Sequence, residues 1–163
     1  REERYAAMEL ARVGPHRRLL STTLLPLYEE MISSGAWWDY ADDISGHALG
    51  DLLRTDAQAV KAVLRRWSTG EDLWLRRSAM LAQRRLPVAQ MDAALLYALI
   101  EPSLAEPRWG REFFIAKGMG WALRERAYQA PQEVQAFCER EAARLPALTR
   151  REALKGLRRL ARA

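Results

Sequence analysis

The stretch WWDYADDISGHALGDLLR, residues 37–54, decides the reading of the fold. Its residues Trp37, Ala41, Ile44, Ala48 and Leu52 recur at three- and four-residue intervals, the period of an α-helix with one buried face. Trp38 and Asp42 lie beside that stripe, four residues apart, and so share a second face of the same helix. A broad aromatic ring next to an acceptor, away from the core side, suits a cationic or electron-poor ligand. A second buried Trp with a solvated Asp nearby accounts for the same residues, and from this segment alone it is the commoner arrangement.

The helical period extends outward in both directions, and no segment shows the period-two, β-branched alternation of a strand. The spacing predicts an all-α protein with helices over 2–12, 23–33, 37–54, 56–67, 71–84, 89–100, 110–129, 131–142 and 150–160. Breakers fall between these spans: Gly14 with Pro15, Ser34 with Gly35, Ser68 to Gly70, Pro87, Pro102 to Pro107, and Pro131. Asp56 is an expected N-cap, and Thr149 with Glu152 three residues later has the pattern of a capping box. Trp38, Arg77 and Trp121 are separated by 39 and 44 residues. Those intervals suit a helix-pair repeat of the HEAT or armadillo kind, whose stacking would align the marked helices along one concave surface.

At 163 residues and 49% hydrophobic, the chain is long enough for one domain, 1–163, with a substantial core. Lys and Arg outnumber Asp and Glu by 26 to 21, a net charge of +5. This excess favours a polyanionic partner, with nucleic acid ahead of an anionic membrane because no Lys-rich amphipathic terminal helix stands out. A single Cys138 excludes an intrachain disulfide and a cysteine metal cluster, while His16 and His47 are too few and too far apart for a usual zinc motif. No metal is expected, and reducing cytoplasm is the expected compartment. No apolar run reaches membrane-spanning length, and no signal-like segment is present. The opening REERYAAMELARVG is already helical in pattern and lacks an initiator Met, so further N-terminal helices are expected to precede it.

Two further segments carry chemistry. In WSTGEDLWLRR, residues 67–77, the adjacent Arg76 and Arg77 point about 100° apart on a helix. One can face the inner surface and grip a phosphate bidentately, although two solvated arginines fit equally well. In REFFIAKGMGWALRERA, residues 111–127, Lys117, Trp121 and Arg124, continued by Tyr128, form a single stripe that alternates cation and aromatic. Phe114, Ile115, Met119 and Ala122 remain to face the interior, so the stripe is free to meet a nucleic-acid backbone with its sugars and bases. The basic segment 149–163 adds either a phosphate contact or a solvated tail.

Together these segments resemble the AlkD-like family of alkylpurine DNA glycosylases. The likeness runs from REERYAAMEL through REALK and rests on Trp37, Trp38, Asp39 and Asp42, then on Trp74, Leu75 and Arg77. A third block, Phe113, Phe114, Ile115, Lys117, Gly120, Trp121, Leu123, Arg124 and Glu125, makes the combination specific. The resemblance implies a HEAT-like solenoid of antiparallel helix pairs whose concave face binds DNA. It implies that Trp38, Asp42 and Trp121 form the catalytic cleft and that Arg77 holds the DNA backbone, with Lys117 and Arg124 assigned to further DNA contacts. The implied reaction is excision of N3- and N7-alkylated purines, 3-methyladenine and 7-methylguanine, from duplex DNA in base excision repair, without extrusion of the base and without a cofactor. A monomer is expected.

The chain departs from that family in two places. The N-terminal aromatic that helps bound the family's cleft has no counterpart here, and residues 101–110 are longer than the usual turn and are expected to be a surface insertion. His16, His47 and Cys138 have no assigned role. Two other functions fit a basic helical array: a non-catalytic DNA-binding solenoid, and a protein-binding adaptor, the commonest use of such repeats.

Overall fold

The computed structural model describes residues 2–12 and 19–160, which form eleven helices. These are α1 (Glu2–Arg12), α2 (Leu25–Gly35), α3 (Trp38–Ile44), α4 (Gly50–Thr55), α5 (Ala57–Thr69), α6 (Leu73–Leu81), α7 (Ala93–Ala105), α8 (Pro107–Arg111), α9 (Phe113–Ala127), α10 (Pro131–Arg140) and α11 (Ala147–Leu160). No strand occurs among the described residues, and no helix there is long and apolar enough to cross a membrane. The expected break at Gly14 and Pro15, and His16 beside it, lie outside the described residues.

Helix α3 packs on α6, α6 on α9 and α9 on α11, which makes a row of inner helices. Each has a partner: α2 against α3, α5 against α6, α7 against both α6 and α9, and α10 against α9 and α11. This is a helical-repeat solenoid, and the helices carrying Trp38, Arg77 and Trp121 are three successive members of the inner row.

Two apolar clusters hold the array together, and the helices between them serve both. Leu75, Ala79 and Ala82 face the first cluster with Tyr28, Ile32, Ile44 and Leu64, while Met80 and Leu81 face the second with Ile115, Met119, Leu123 and Phe137. Helix α7 divides in the same way, with Leu95 and Leu99 on one side and Leu96 and Ile100 on the other. A helix apolar on two faces is the signature of an interior repeat, since it is covered from both directions.

Acidic caps start four helices. Asp56 accepts from the Ala59 amide at 3.2 Å, Asp72 from Trp74 and Leu75 at 2.8 and 2.9 Å, Asp92 from Leu95 at 2.9 Å, and Glu112 from Ile115 at 3.0 Å. Each satisfies amides that a helix start otherwise leaves without acceptors.

The structure corrects several local expectations. Residues 37–54 are not one regular helix: a π turn over Ser45–Leu49 separates α3 from α4. Within the wider turn Leu49 is fully buried, while Ala48, which the regular spacing places on the buried face, is only partly buried against the same cluster; Leu52 stays buried beyond it. Trp37 leaves the stripe as well. Ala36 ends α2 in a left-handed conformation (φ 44°, ψ 43°), which puts Trp37 in extended backbone, 41% exposed. Its ring meets Trp74 and Phe114, with centroids 6.4 and 6.2 Å away, so aromatics at the starts of three inner helices touch one another.

Pro102 lies inside α7 and does not end it. Burial of Ser103 and Leu104 holds the last turn in helical form despite the missing amide. Residues 107–111 form a short helix, and Trp109 is buried beneath the Arg76 guanidinium at 4.5 Å, so the segment is not a projecting loop. Thr149 is interior to α11 and caps nothing: its hydroxyl donates to the Ala116 carbonyl at 2.8 Å, tying α11 to α9.

Candidate active site

Asp42 sits on α3 one turn after Trp38, as their spacing requires, but the two side chains have different fates. Trp38 is 44% exposed, whereas Asp42 is 6% exposed. The Asp42 carboxylate accepts from Arg77 Nε and Nη2, both at 2.8 Å, in a bidentate pair. Arg77 is itself 3% exposed, and its Nη1 donates to the Phe114 carbonyl at the start of α9, at 2.6 Å. One guanidinium therefore joins three successive inner helices, α3, α6 and α9. Gly118 gives the guanidinium room, since a Cβ there would stand a tight 3.1 Å from Arg77 Nη1. The family resemblance assigns Arg77 to the DNA backbone; in the structure its donors are directed at Asp42 and Phe114, and a phosphate grip would require that pair to open.

The neighbouring Arg76 points the other way and is fully buried. It donates from Nε to the Gly70 carbonyl at 2.5 Å and from Nη2 to the Thr69 carbonyl and Glu106 at 3.1 and 3.2 Å. It is a structural clamp between α5, α6 and α8, and neither arginine of the pair is a solvated surface residue.

Trp121, on α9, is partly exposed and fixed at two points. Its Nε1 donates to Glu125 at 3.0 Å, and the Arg84 guanidinium lies 4.4 Å from its ring centre. Arg84 also donates from Nη2 to the Asp42 main-chain carbonyl at 3.0 Å. Burial lowers the pKa of Arg84, with the Asp42 carboxylate opposing that effect. Asp42, Arg77, Arg84 and Trp121 thus form one connected group, with Trp38 at the solvent side of α3.

Lys117 and Arg124, assigned to DNA on sequence, meet on Glu152, which the sequence offers only as a capping-box partner of Thr149. Glu152 of α11 is 2% exposed and accepts from Lys117 Nζ and Arg124 Nη1, both at 2.9 Å, and from Lys155 Nζ at 2.7 Å. Three cations on one carboxylate leave a local charge of +2, with Lys117 and Lys155 side chains 40% and 52% exposed. Gly120 permits the approach, because a Cβ there would lie 2.6 Å from Glu152 Cβ. Desolvation raises the Glu152 carboxyl, but the bonded Lys155 and Lys117 outweigh it and bring the group down to about 2.

A depressed carboxyl contributes stability above its unfolded value that is lost as pH falls through the folded one. Glu152 is therefore expected to contribute about 2 to 3 kcal/mol near neutrality, after discounting for the exposure of its lysine partners. The contribution should disappear between pH 4.5 and about 2. Urea midpoints measured from pH 6 to pH 2 check this: the parent should lose that increment, and Glu152→Gln should lack it throughout.

Neither Arg84 nor Glu152 is a site residue on the sequence alone. For Arg84 a signal existed, since it follows Arg77 by seven residues, two helical turns. For Glu152 the local cues, Thr149 three residues before and Lys155 three residues after, do not point to Lys117 and Arg124, which lie 35 and 28 residues away. Asp39, by contrast, faces α1, accepting from the Tyr5 hydroxyl at 2.6 Å. His47 lies 3.8 Å from Asp43, and Cys138 is buried with its thiol pKa raised by desolvation; neither touches the site. Among the described residues no group of His, Cys, Asp and Glu could hold a metal ion.

Among known structures, the chain is similar to one titled "Predicted DNA alkylation repair enzyme from Enterococcus faecalis", with a TM-score of 0.75 and 25% identity over 94% of this chain and 67% of that one. No curated protein is significantly similar to the chain. Residues 1–157 match the family described as DNA alkylation repair enzyme, nearly the whole length and every residue of the group around Asp42. The chain belongs to the DNA alkylation repair enzyme family.

Proposed function

We propose that the chain is a DNA glycosylase that removes cationic N3- and N7-alkylated purines, such as 3-methyladenine and 7-methylguanine, from duplex DNA. The observation that carries this reading is the group around Asp42: a carboxylate held bidentately by Arg77, one turn from the exposed Trp38, and joined through Arg84 to Trp121. Family membership supports a role in alkylation repair.

Alkylation at N3 or N7 leaves the purine positively charged, so it departs without a protein acid. The C1′–N bond breaks, its electron pair passes to the base nitrogen, and the base leaves neutral. Cationic charge then grows on the deoxyribose. A fixed carboxylate stabilises that charge more than it stabilises the ground state, which is the condition for acceleration. Asp42 is the group for this step. Each of its oxygens accepts one bond from Arg77 and retains capacity for a second, toward the sugar or the attacking water. Water adds its oxygen to C1′ and gives up a proton to Asp42 or solvent.

Arg77 acts through Asp42 as a positioning residue. Trp38 and Trp121 pack against the sugar and backbone and exclude water. Lys117 and Arg124 hold phosphates, competing with Glu152 for the same cations. Because a cationic base is identified by its weakened bond, extrusion into a shaped pocket is not needed, and neutral lesions should be poor substrates.

The same pair lends support to a second reading. A carboxylate this buried and this fully met by an arginine is also what a non-catalytic DNA-binding solenoid would keep for structure. Release of 7-methylguanine and 3-methyladenine from alkylated duplex DNA, measured beside binding to the same duplex, separates the two. Time-dependent release is the expected result; binding without release would favour the non-catalytic solenoid.

A further inference from the structure

Resting on the proposed glycosylase reading, we infer that Arg84 is a positioning residue that sets the Trp121 indole against the Asp42 helix before DNA arrives. Arg84 lies in the turn after α6 and reaches both α3 and α9. Its Nη2 bonds the Asp42 carbonyl at 3.0 Å, and its guanidinium lies 4.4 Å from the Trp121 ring centre. Trp121 is then held by the ring through Arg84 and by its N–H through Glu125. A ring restrained on two sides has little freedom to rotate, and catalytic groups act best when their orientation is settled in advance.

Local backbone features make room for this contact. The Asp42 carbonyl stands just ahead of the π turn and accepts two side-chain bonds, from Ser45 Oγ at 3.2 Å and from Arg84. Isolated π turns of this kind are frequent at functional sites. Gly46, within the π turn, lets the guanidinium approach closely: a Cβ there would stand 2.7 Å from Arg84 Nη2 and 3.0 Å from Cζ. Arg84 Nε is buried with no protein partner among the described residues. A simple clamp between α3 and α9 would not need a desolvated guanidinium, since an apolar side chain would join the same helices at lower cost.

Two variants test this from different sides. Arg84→Met keeps the packing against Trp121 but removes both cation and donor, and Gly46→Ala displaces the guanidinium while leaving Arg84 in place. Single-turnover release of 7-methylguanine should fall about 10-fold or more in each, since a misplacement of about 1 Å can cost ~10²-fold. Duplex affinity should stay within about twofold, because phosphate contacts are made elsewhere. In 5-fluorotryptophan-labelled protein, the fluorine resonance assigned by Trp121→Phe should shift or broaden in both variants.

Release at the parent rate by folded Arg84→Met or folded Gly46→Ala would overturn the inference, as would a Trp121 resonance unchanged in both. No release by the parent chain would overturn the proposed glycosylase function instead, and the fluorine resonance would then still decide whether Arg84 holds the indole.

Discussion

Asp42→Asn is expected to slow single-turnover release of 7-methylguanine by about 10²- to 10³-fold, the loss typical when one preorganised electrostatic group is removed from a reacting centre. The substitution keeps the shape of the side chain and removes its charge, so the developing sugar cation loses its counter-charge. It also turns one of two acceptors toward Arg77 into an amide donor, which opposes the guanidinium. The variant should therefore be less stable than the parent, and release must be measured below its unfolding midpoint. Duplex affinity, measured by fluorescence anisotropy, is expected to survive, because Lys117, Arg124 and Lys155 gather on Glu152 and not on Asp42. Parent-like release by Asp42→Asn would refute the role of the carboxylate.

The largest effect on stability belongs to Arg77→Met, expected to cost about 3–5 kcal/mol because it leaves the Asp42 carboxylate buried without its partner. The Phe114 carbonyl loses its donor in the same step. Urea denaturation gives the value directly. Adding Asp42→Asn to Arg77→Met should recover part of the loss, since the second substitution removes the stranded charge; a coupling of roughly 0.5–3 kcal/mol is usual for groups in direct contact. The same variant also decides where Arg77 acts. A phosphate-binding arginine would lower the salt slope of duplex binding by about one unit when removed. The pair seen here instead predicts an unchanged slope together with a large loss of stability and of excision.

Both predictions concern contacts that join segments far apart in the chain, and this is where sequence and structure part. Asp42 and Trp38 were legible as a pair because four residues on a helix fix a shared face. The stripe of Lys117, Trp121 and Arg124 was legible for the same reason, and α9 carries it as the spacing required. Spacing could not show that Trp38 stays exposed while Asp42 is buried, or that Arg77 faces Asp42 and not solvent. Those outcomes depend on α6 passing beside α3 and on Gly118 letting α9 approach closely. Likewise, regular periodicity placed Ala48 in the core, but within the π turn Leu49 is the more fully buried, and Pro102 was read as a stop where buried neighbours carry α7 past it.

The sequence by itself determined the all-helical class, the repeat spacing that puts Trp38, Arg77 and Trp121 on successive inner helices, and most helix starts, because period, caps and breakers act within a few residues. Only the tertiary structure decided which charges pair. Arg77 with Asp42, Arg84 over Trp121, and three cations on Glu152 are contacts of 2.7 to 4.4 Å set by helix packing. A buried charge takes whichever partner the fold brings within reach, and no local pattern records that choice.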